Sequence, residues 1–290
     1  MAKLGSEQPD RGSGIMAIAK SPVVTASLTT SIYEIVHIMT KKGFRRIPIV
    51  DAETKNLQGI VTSTDVVDYL GGGRKFEIIQ QKHNGSFYKA INEPVKSIMR
   101  SDPPAMRNSG TTKQAVELMK HNGVGGLPVT DNENKVLAIV TERDMLSIFP
   151  KRTKISQVSA LMTGDVVTAS VETTVIEAER EMIRKSFRRL PLVSESSLSG
   201  IVTAMDIVRF FGSGEVFQHL RSGTILQVLQ TPALQIGSRE LITILPNASA
   251  EEAVDVMKER NVGALLVVDG EKLVGILTER DFFKLFRAHW

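Results

Sequence analysis

Gly59-Ile60-Val61-Thr62-Ser63-Thr64-Asp65 returns three more times in this chain. The copies are Ala138-Ile139-Val140-Thr141-Glu142-Arg143-Asp144, Gly200-Ile201-Val202-Thr203-Ala204-Met205-Asp206 and Gly275-Ile276-Leu277-Thr278-Glu279-Arg280-Asp281. Thr-x-x-Asp is kept each time, with steps of 79, 62 and 75 residues between the aspartates. Self-similarity at this period marks a repeat architecture and governs the fold ahead of local propensity.

Each phrase extends backwards into the same order of elements. In the first copy a β-prone stretch, Val23-Val24-Thr25, precedes a helical pattern with Ile32, Ile35, Val36 and Met39 at i, i+3, i+4 and i+7. Phe44 to Asp51 reads as a strand, Glu53 to Asn56 as a turn and Leu57 to Thr62 as a second strand; a helix follows from Thr64. The predicted unit is therefore β-α-β-β-α, and the fold class α/β of the α+β kind. Met39, Met119, Met182 and Met257 hold one helical position in the four copies, as flexible core fillers. Thr111-x-x-Gln114 and Ser249-x-x-Glu252 read as capping boxes opening two of these helices.

The copies alternate. The first and third share Phe-Arg-Arg-Ile/Leu-Pro, at Phe44–Pro48 and Phe187–Pro191. The second and fourth share Val-Gly-Gly/Ala-Leu, at Val124–Leu127 and Val262–Leu265, together with Thr-Glu-Arg-Asp. A duplicated two-repeat module accounts for this, and the intervals agree: Asp65 to Asp206 is 141 residues and Asp144 to Asp281 is 137. Gly-rich inserts after Gly71 and Gly212 separate the members of each pair. The expected division is a polar tail at 1–14, repeat one at 15–72, linker and repeat two at 73–149, repeat three at 150–212, and linker and repeat four at 213–290.

Bulk composition narrows the function. The 290 residues are 42% hydrophobic and 23% charged, with a net charge of +4 and no cysteine. Disulfides, thiolate chemistry and Cys-based zinc sites are excluded. No apolar run reaches membrane-spanning length and no signal peptide pattern opens the chain, so a cytoplasmic location is expected. The five histidines, His37, His83, His121, His219 and His289, are scattered without metal spacing, and no P-loop, Gly-x-Ser-x-Gly or HExxH is present. The expectation is a binding protein with no catalytic residues, metal or catalytic cofactor.

The four in-register copies resemble the CBS (cystathionine-β-synthase) domain family, as two tandem Bateman modules spanning roughly residues 15 to 288. The layout, including Gly71-Gly72-Gly73 and Ile91-Asn92-Glu93-Pro94-Val95, is similar to archaeal four-domain relatives of the gamma subunit of AMP-activated protein kinase. That resemblance implies two pseudo-twofold modules in a flat disc, clefts between paired repeats, and AMP, ADP or ATP as ligands. It also implies a regulated enzyme or kinase-like partner and the option of disc stacking as a homodimer.

Residue roles follow with alternatives. A carboxylate at a helix start caps free N–H groups, and it can also accept hydrogen bonds from a ribose diol. The resemblance assigns ribose binding to Asp65, Asp144, Asp206 and Asp281, with Thr62, Thr141, Thr203 and Thr278 beside them. Arg45-Arg46 and Arg188-Arg189 are solvated surface charges or phosphate clamps, since the guanidinium fork suits phosphate; Ser63 joins them as a phosphate candidate. An adenine slot is assigned to Thr25, Thr168 and Thr243 with Ile60, Ile139, Ile201 and Ile276 as a wall, against ordinary core packing for the isoleucines. Arginine pairs favour phosphate over the cationic sulfonium of S-adenosylmethionine. A scaffold with capping-only aspartates, or a nucleic-acid regulator using basic stretches such as Lys151-Arg152-Thr153-Lys154, are the other classes; no helix-turn-helix or zinc-finger pattern supports the latter.

Overall fold

Ser31 starts the first long helix, Ile32–Lys42, by accepting from the Glu34 N–H while the Glu34 side chain returns a bond to the Ser31 backbone. Ile32, Ile35, Val36 and Met39 face inward, and Gly43, at φ 68°, ends the helix in the left-handed conformation. The structure, a computed structural model, describes residues 14–148, 157–195, 197–214, 216 and 224–286. The tail, the basic join around Lys151-Arg152-Thr153-Lys154, His219 and His289 lie outside these residues.

Each repeat takes the expected β-α-β-β-α order. In repeat one, Ala26–Ser27 leads through that helix to the hairpin Arg46–Val50 and Leu57–Thr62, then to the helix Ser63–Val67 and a wider turn, Asp68–Gly72. The matching first helices are Thr112–His121, Val175–Arg184 and Ala250–Glu259. All four methionines at the shared position are buried. In each sheet a two-residue strand runs parallel to the first hairpin strand, and the hairpin is antiparallel with one register shift near its turn. The sheets are small and none closes into a barrel.

The opening strands lie later than expected, and proline explains it. Ala26 pairs with Ile49, and Ala169 with Leu192, so Thr25 and Thr168 would have to face Pro48 and Pro191. Proline has no N–H to give the ladder. Leu266 stands at that place in repeat four; its N–H donates to Ile242 O at 3.0 Å, and the strand begins one residue earlier, at Thr243.

The chain divides into two compact units that interleave the repeats. One comprises Val24–Pro103 and Val167–Leu241, hence repeats one and three; the described parts of 1–23, 104–166 and 242–290 make the other, with repeats two and four. In the first unit a single buried cluster runs from Ala26 to Ala233. Helix Ile32–Lys42 packs on Ala204–Gly212, and Val175–Arg184 packs on Asp68–Gly72. Close approach explains a glycine here: a Cβ on Gly212 would lie 2.6 Å from Thr40 Oγ1. In the second unit two clusters exchange one residue each. Leu146 of repeat two lies in the core of repeat four, and Phe283 of repeat four in the core of repeat two.

A short leader precedes every repeat, and it was not anticipated from the sequence. Ile15–Ala17, Val95–Ser97 and Val158–Ala160 are single 3-10 turns, and Ala233–Ile236 is one helical turn. Each leader covers the other member of its sequential pair, not the repeat it introduces. Ile15 N donates to Gly110 O, Val95 N to Thr30 O, Val158 N to Ala248 O and Ala233 N to Thr173 O, at 2.7–2.9 Å. Each then bridges antiparallel to the outer edge of the second hairpin strand: Lys20 with Ile139, Arg100 with Ile60, Thr163 with Ile276, and Ser238 with Ile201. Side-chain sizes match across this contact. A Cβ on Gly59 would lie 2.6 Å from the sulfur of Met99, and Met162 presses on Gly275 in the same way. Where repeat two carries Ala138 instead, the leader carries Ala19, packed against that core.

Candidate functional site

In each repeat the second hairpin strand ends at the threonine, which in repeats one to three becomes the N-cap of the next helix with extended φ/ψ; in repeat four a turn follows Thr278 and the helix begins at Phe283. The aspartate three residues on turns one carboxylate oxygen back on that threonine. Asp65 Oδ2 accepts from Thr62 N at 2.8 Å and Thr62 Oγ1 at 2.6 Å. Asp144 with Thr141, Asp206 with Thr203 and Asp281 with Thr278 repeat both bonds at 2.7–2.9 Å. Thr-x-x-Asp is therefore a capping box in repeats one to three, while in repeat four Asp281 N donates to the Thr278 carbonyl instead of its hydroxyl.

The second oxygen, Oδ1, has a different role. It faces a cation each time: Lys75 Nζ at 2.5 Å from Asp65, Arg209 Nη1 at 2.7 Å from Asp206, Lys284 Nζ at 3.4 Å from Asp281 and Lys20 Nζ at 3.9 Å from Asp144. None of these four cations was singled out from the sequence: Lys20 comes from a leader and Lys75 from an insert, and only Arg209 and Lys284 share a spacing, three residues past their aspartates. Asp144 is the most buried, with its side chain 8% exposed. Burial pushes its carboxyl above the usual range, more than the hydrogen bonds from Thr141 and the charge of Lys20 pull it down.

The arginine pairs lie at the same end of the hairpin. Arg46 is the cross-strand neighbour of Thr62, and Arg189 of Thr203. Arg45 and Arg188 sit on the bend just before the strand, and their carbonyls accept from Ser63 N at 2.9 Å and Ala204 N at 3.0 Å. Gly125 and Gly263 occupy the matching place in repeats two and four, accepting from Glu142 N and Glu279 N. Guanidinium and carboxylate are thus brought to one corner of each odd repeat.

The residue after each threonine turns into the unit. Ser63, expected to offer a hydroxyl to phosphate, is buried, as are Glu142, Ala204 and Glu279 at the same place. The outward phosphate role for Ser63 is dropped for that reason. In the even repeats the slot holds a reciprocal ion pair. Arg143 Nε lies 2.6 Å from Glu279 Oε1 and Arg280 Nε 2.6 Å from Glu142 Oε1, with the glutamates 3% and 2% exposed. Arg143 Nη1 also donates to Asn261 Oδ1 at 2.6 Å.

The isoleucine wall is split from the core by strand alternation. Val61, Val140, Val202 and Leu277 are fully buried, while Ile139, Ile201 and Ile276 beside them are half-buried on the other face and Ile60 is buried. The leader bridges use the backbone N–H and C=O of Ile139, Ile201 and Ile276, leaving their side chains for any ligand. Thr168 and Thr243 are exposed and Thr25 half-buried. Among the described residues no group of three His, Asp or Glu side chains is placed to hold a metal ion, and no helix is long and apolar enough to cross a membrane.

Four copies of one turn, on four copies of one β-α-β-β-α unit, coincide with the CBS domain family model, which matches residues 15–72, 95–151, 158–213 and 234–288. The chain belongs to the CBS domain family. A chain similar to it over nearly its whole length is protein MJ1225 of Methanocaldococcus jannaschii, 34% identical over 275 residues, which are 94% of this chain and 98% of that one. The crystal structure of MJ1225, described as a candidate archaeal homolog of g-AMPK, superimposes with a TM-score of 0.90 at 33% identity, covering 94% of this chain and all of that one. A 33.4 kDa protein from the ribosomal RNA operon of Thermofilum pendens is 32% identical over 260 residues, 90% of this chain and 86% of that one. Inosine-5'-monophosphate dehydrogenase of M. jannaschii shares 35% identity over 138 residues, which is 26% of that enzyme.

Proposed function

We propose that this CBS protein is a non-catalytic regulator that binds adenine nucleotides, AMP, ADP or ATP, and reports energy state to a partner enzyme. The supporting observation is the division of labour on each aspartate. Oδ2 holds the capping box, while Oδ1 faces only a cation, so a diol can be gripped without dismantling the turn. Asp65, Asp144, Asp206 and Asp281 are the ribose grips. Arg45, Arg46, Arg188 and Arg189 serve phosphates from the same corner of repeats one and three. Thr25, Thr168 and Thr243 with the four isoleucines border the base. The description of MJ1225 as a g-AMPK homolog points the same way.

A thermal melt with each ligand tests this, because a ligand bound only by the native state raises stability by mass action. AMP, ADP or ATP should raise the Tm, and Asp→Asn at each position, which keeps an acceptor for the cap, should remove the sites one by one. No shift at millimolar nucleotide would sink the sensor reading. A shift with S-adenosylmethionine alone would move the ligand class. Equal binding by the quadruple Asp→Asn variant would leave the aspartates as caps only.

A further inference from the structure

Lys75 differs from the other three cations that face the aspartates. Arg209 and Lys284 sit three residues past Asp206 and Asp281 on the same turn, and Lys20 is 3.9 Å away and mostly exposed. Lys75 comes from the insert ten residues on. Its Nζ is 2.5 Å from Asp65 Oδ1 and 3.7 Å from Asp68 Oδ2, and its side chain is only 27% exposed. The backbone holds it there: Lys75 N donates to Asp68 Oδ1 at 3.1 Å, on the chain leaving Gly73. Lys75 also lines a groove of about 400 Å³ with Arg74, Glu77, Ile78, Gln81 and Lys82. That lining carries three cations and one carboxylate, beside the proposed ribose grip of repeat one.

The ammonium occupies the oxygen that a diol requires. A neutral diol that displaces it breaks an ion pair and returns only hydrogen bonds. A phosphorylated ligand offers the displaced ammonium a new anion, within reach of its flexible four-carbon stem. Arg74 adds a second cation to the same groove, whereas Lys82 is paired with Glu93 at 2.7 Å. We propose that Lys75 makes repeat one selective for phosphorylated nucleosides over uncharged ones, its ammonium passing from Asp65 to the phosphate of the ligand. This rests on Asp65 being a ribose grip.

Calorimetric titration with AMP and with adenosine tests it, in the wild-type protein, Lys75→Met, Lys75→Arg and Asp65→Asn. The site lost in Asp65→Asn is the one compared. Lys75→Met should weaken AMP there about tenfold or more, the scale of one charge-assisted hydrogen bond, while adenosine binds as well as before or better. Lys75→Arg should keep the preference for AMP. An unchanged ratio of AMP to adenosine affinity in Lys75→Met overturns the role of Lys75 while leaving the ribose grip standing. A wild-type protein with no Asp65-dependent site for either ligand overturns both. Native melts of each variant separate these results from misfolding.

Discussion

Replacing Glu179 by valine should make the protein more stable, and the reason lies three residues before the methionine that recurs in all four repeats. Counting back from Met39, Met119 and Met257 gives Val36, Val116 and Val254, all buried; counting back from Met182 gives Glu179, with 0% exposure. Neither carboxylate oxygen has a hydrogen-bond partner among the described residues, and Oε2 points at Gly71 of repeat one. The pseudo-equivalent contact is Val36 against Gly212, six residues past its aspartate as Gly71 is past Asp65. Valine therefore has a working precedent in the same unit. An unsatisfied buried polar group costs about 1–3 kcal/mol, and relief of that amount corresponds to a Tm rise of roughly 2–5 °C for a protein of this size. Burial holds the Glu179 carboxyl well above its usual range. The folded state thus keeps a proton that the unfolded chain loses near pH 4.5, so wild-type stability falls as pH rises from there towards the folded pKa. The advantage of Glu179→Val should grow over that window. Glu179→Gln should flatten the pH dependence but keep the unpartnered polar atoms. Calorimetric melts of the three proteins from pH 4.5 to 8 provide the measurement. A valine variant no more stable than wild type at neutral pH would refute the argument.

Two further outcomes concern the contacts between repeats. Gly59→Ala should destabilise by about 1–3 kcal/mol by pressing on Met99, and adding Met99→Ala should recover part of that loss, since the pair then copies Ala138 with Ala19; strictly additive losses in denaturant unfolding would contradict the size matching. For the reciprocal ion pairs, Glu142→Ala and Arg280→Ala should each cost about 2–4 kcal/mol, because either breaks a pair whose carboxylate is buried. The double variant should cost less than their sum by roughly 1–3 kcal/mol, and a coupling near zero would mean that the half-exposed arginine is held by solvent instead.

The repeat unit was legible because its signals are local. Helical spacing at Ile32, Ile35, Val36 and Met39, and the Thr-x-x-Asp ending, need only a dozen residues to read, and both survive in the structure. Thr111 forms its full capping box with Gln114, while the box expected at Ser249 forms only in half: Ser249 accepts from Glu252 N without the return bond. The opening strands were misplaced because a two-residue strand takes its limits from its neighbour, here from Pro48 and Pro191. At the candidate site, the aspartates and arginine pairs were legible as a recurring pattern. Ser63 was misjudged because burial depends on what packs over the helix start. Lys75 and Lys20 escaped notice because their meeting with the aspartates is fixed by folding, at unrelated separations, and Arg209 and Lys284, three residues past their aspartates, because that spacing occurs in only two of the four copies. Glu179, among Glu177, Arg180 and Glu181, looks in sequence like part of a solvated face.

The leaders limit how such a chain can be cut or lengthened. Each repeat relies on a strip of backbone lying upstream of its neighbour: removing residues 14–20 would bare the outer strand of repeat two, not of repeat one. A single excised repeat would carry an open strand edge, a ready template for aggregation, and a leader with nothing to cover. An odd number of repeats would leave one such edge and one such leader in every molecule. The smallest unit that can be duplicated, transplanted or expressed alone with its edges closed is therefore a sequential pair with both leaders attached.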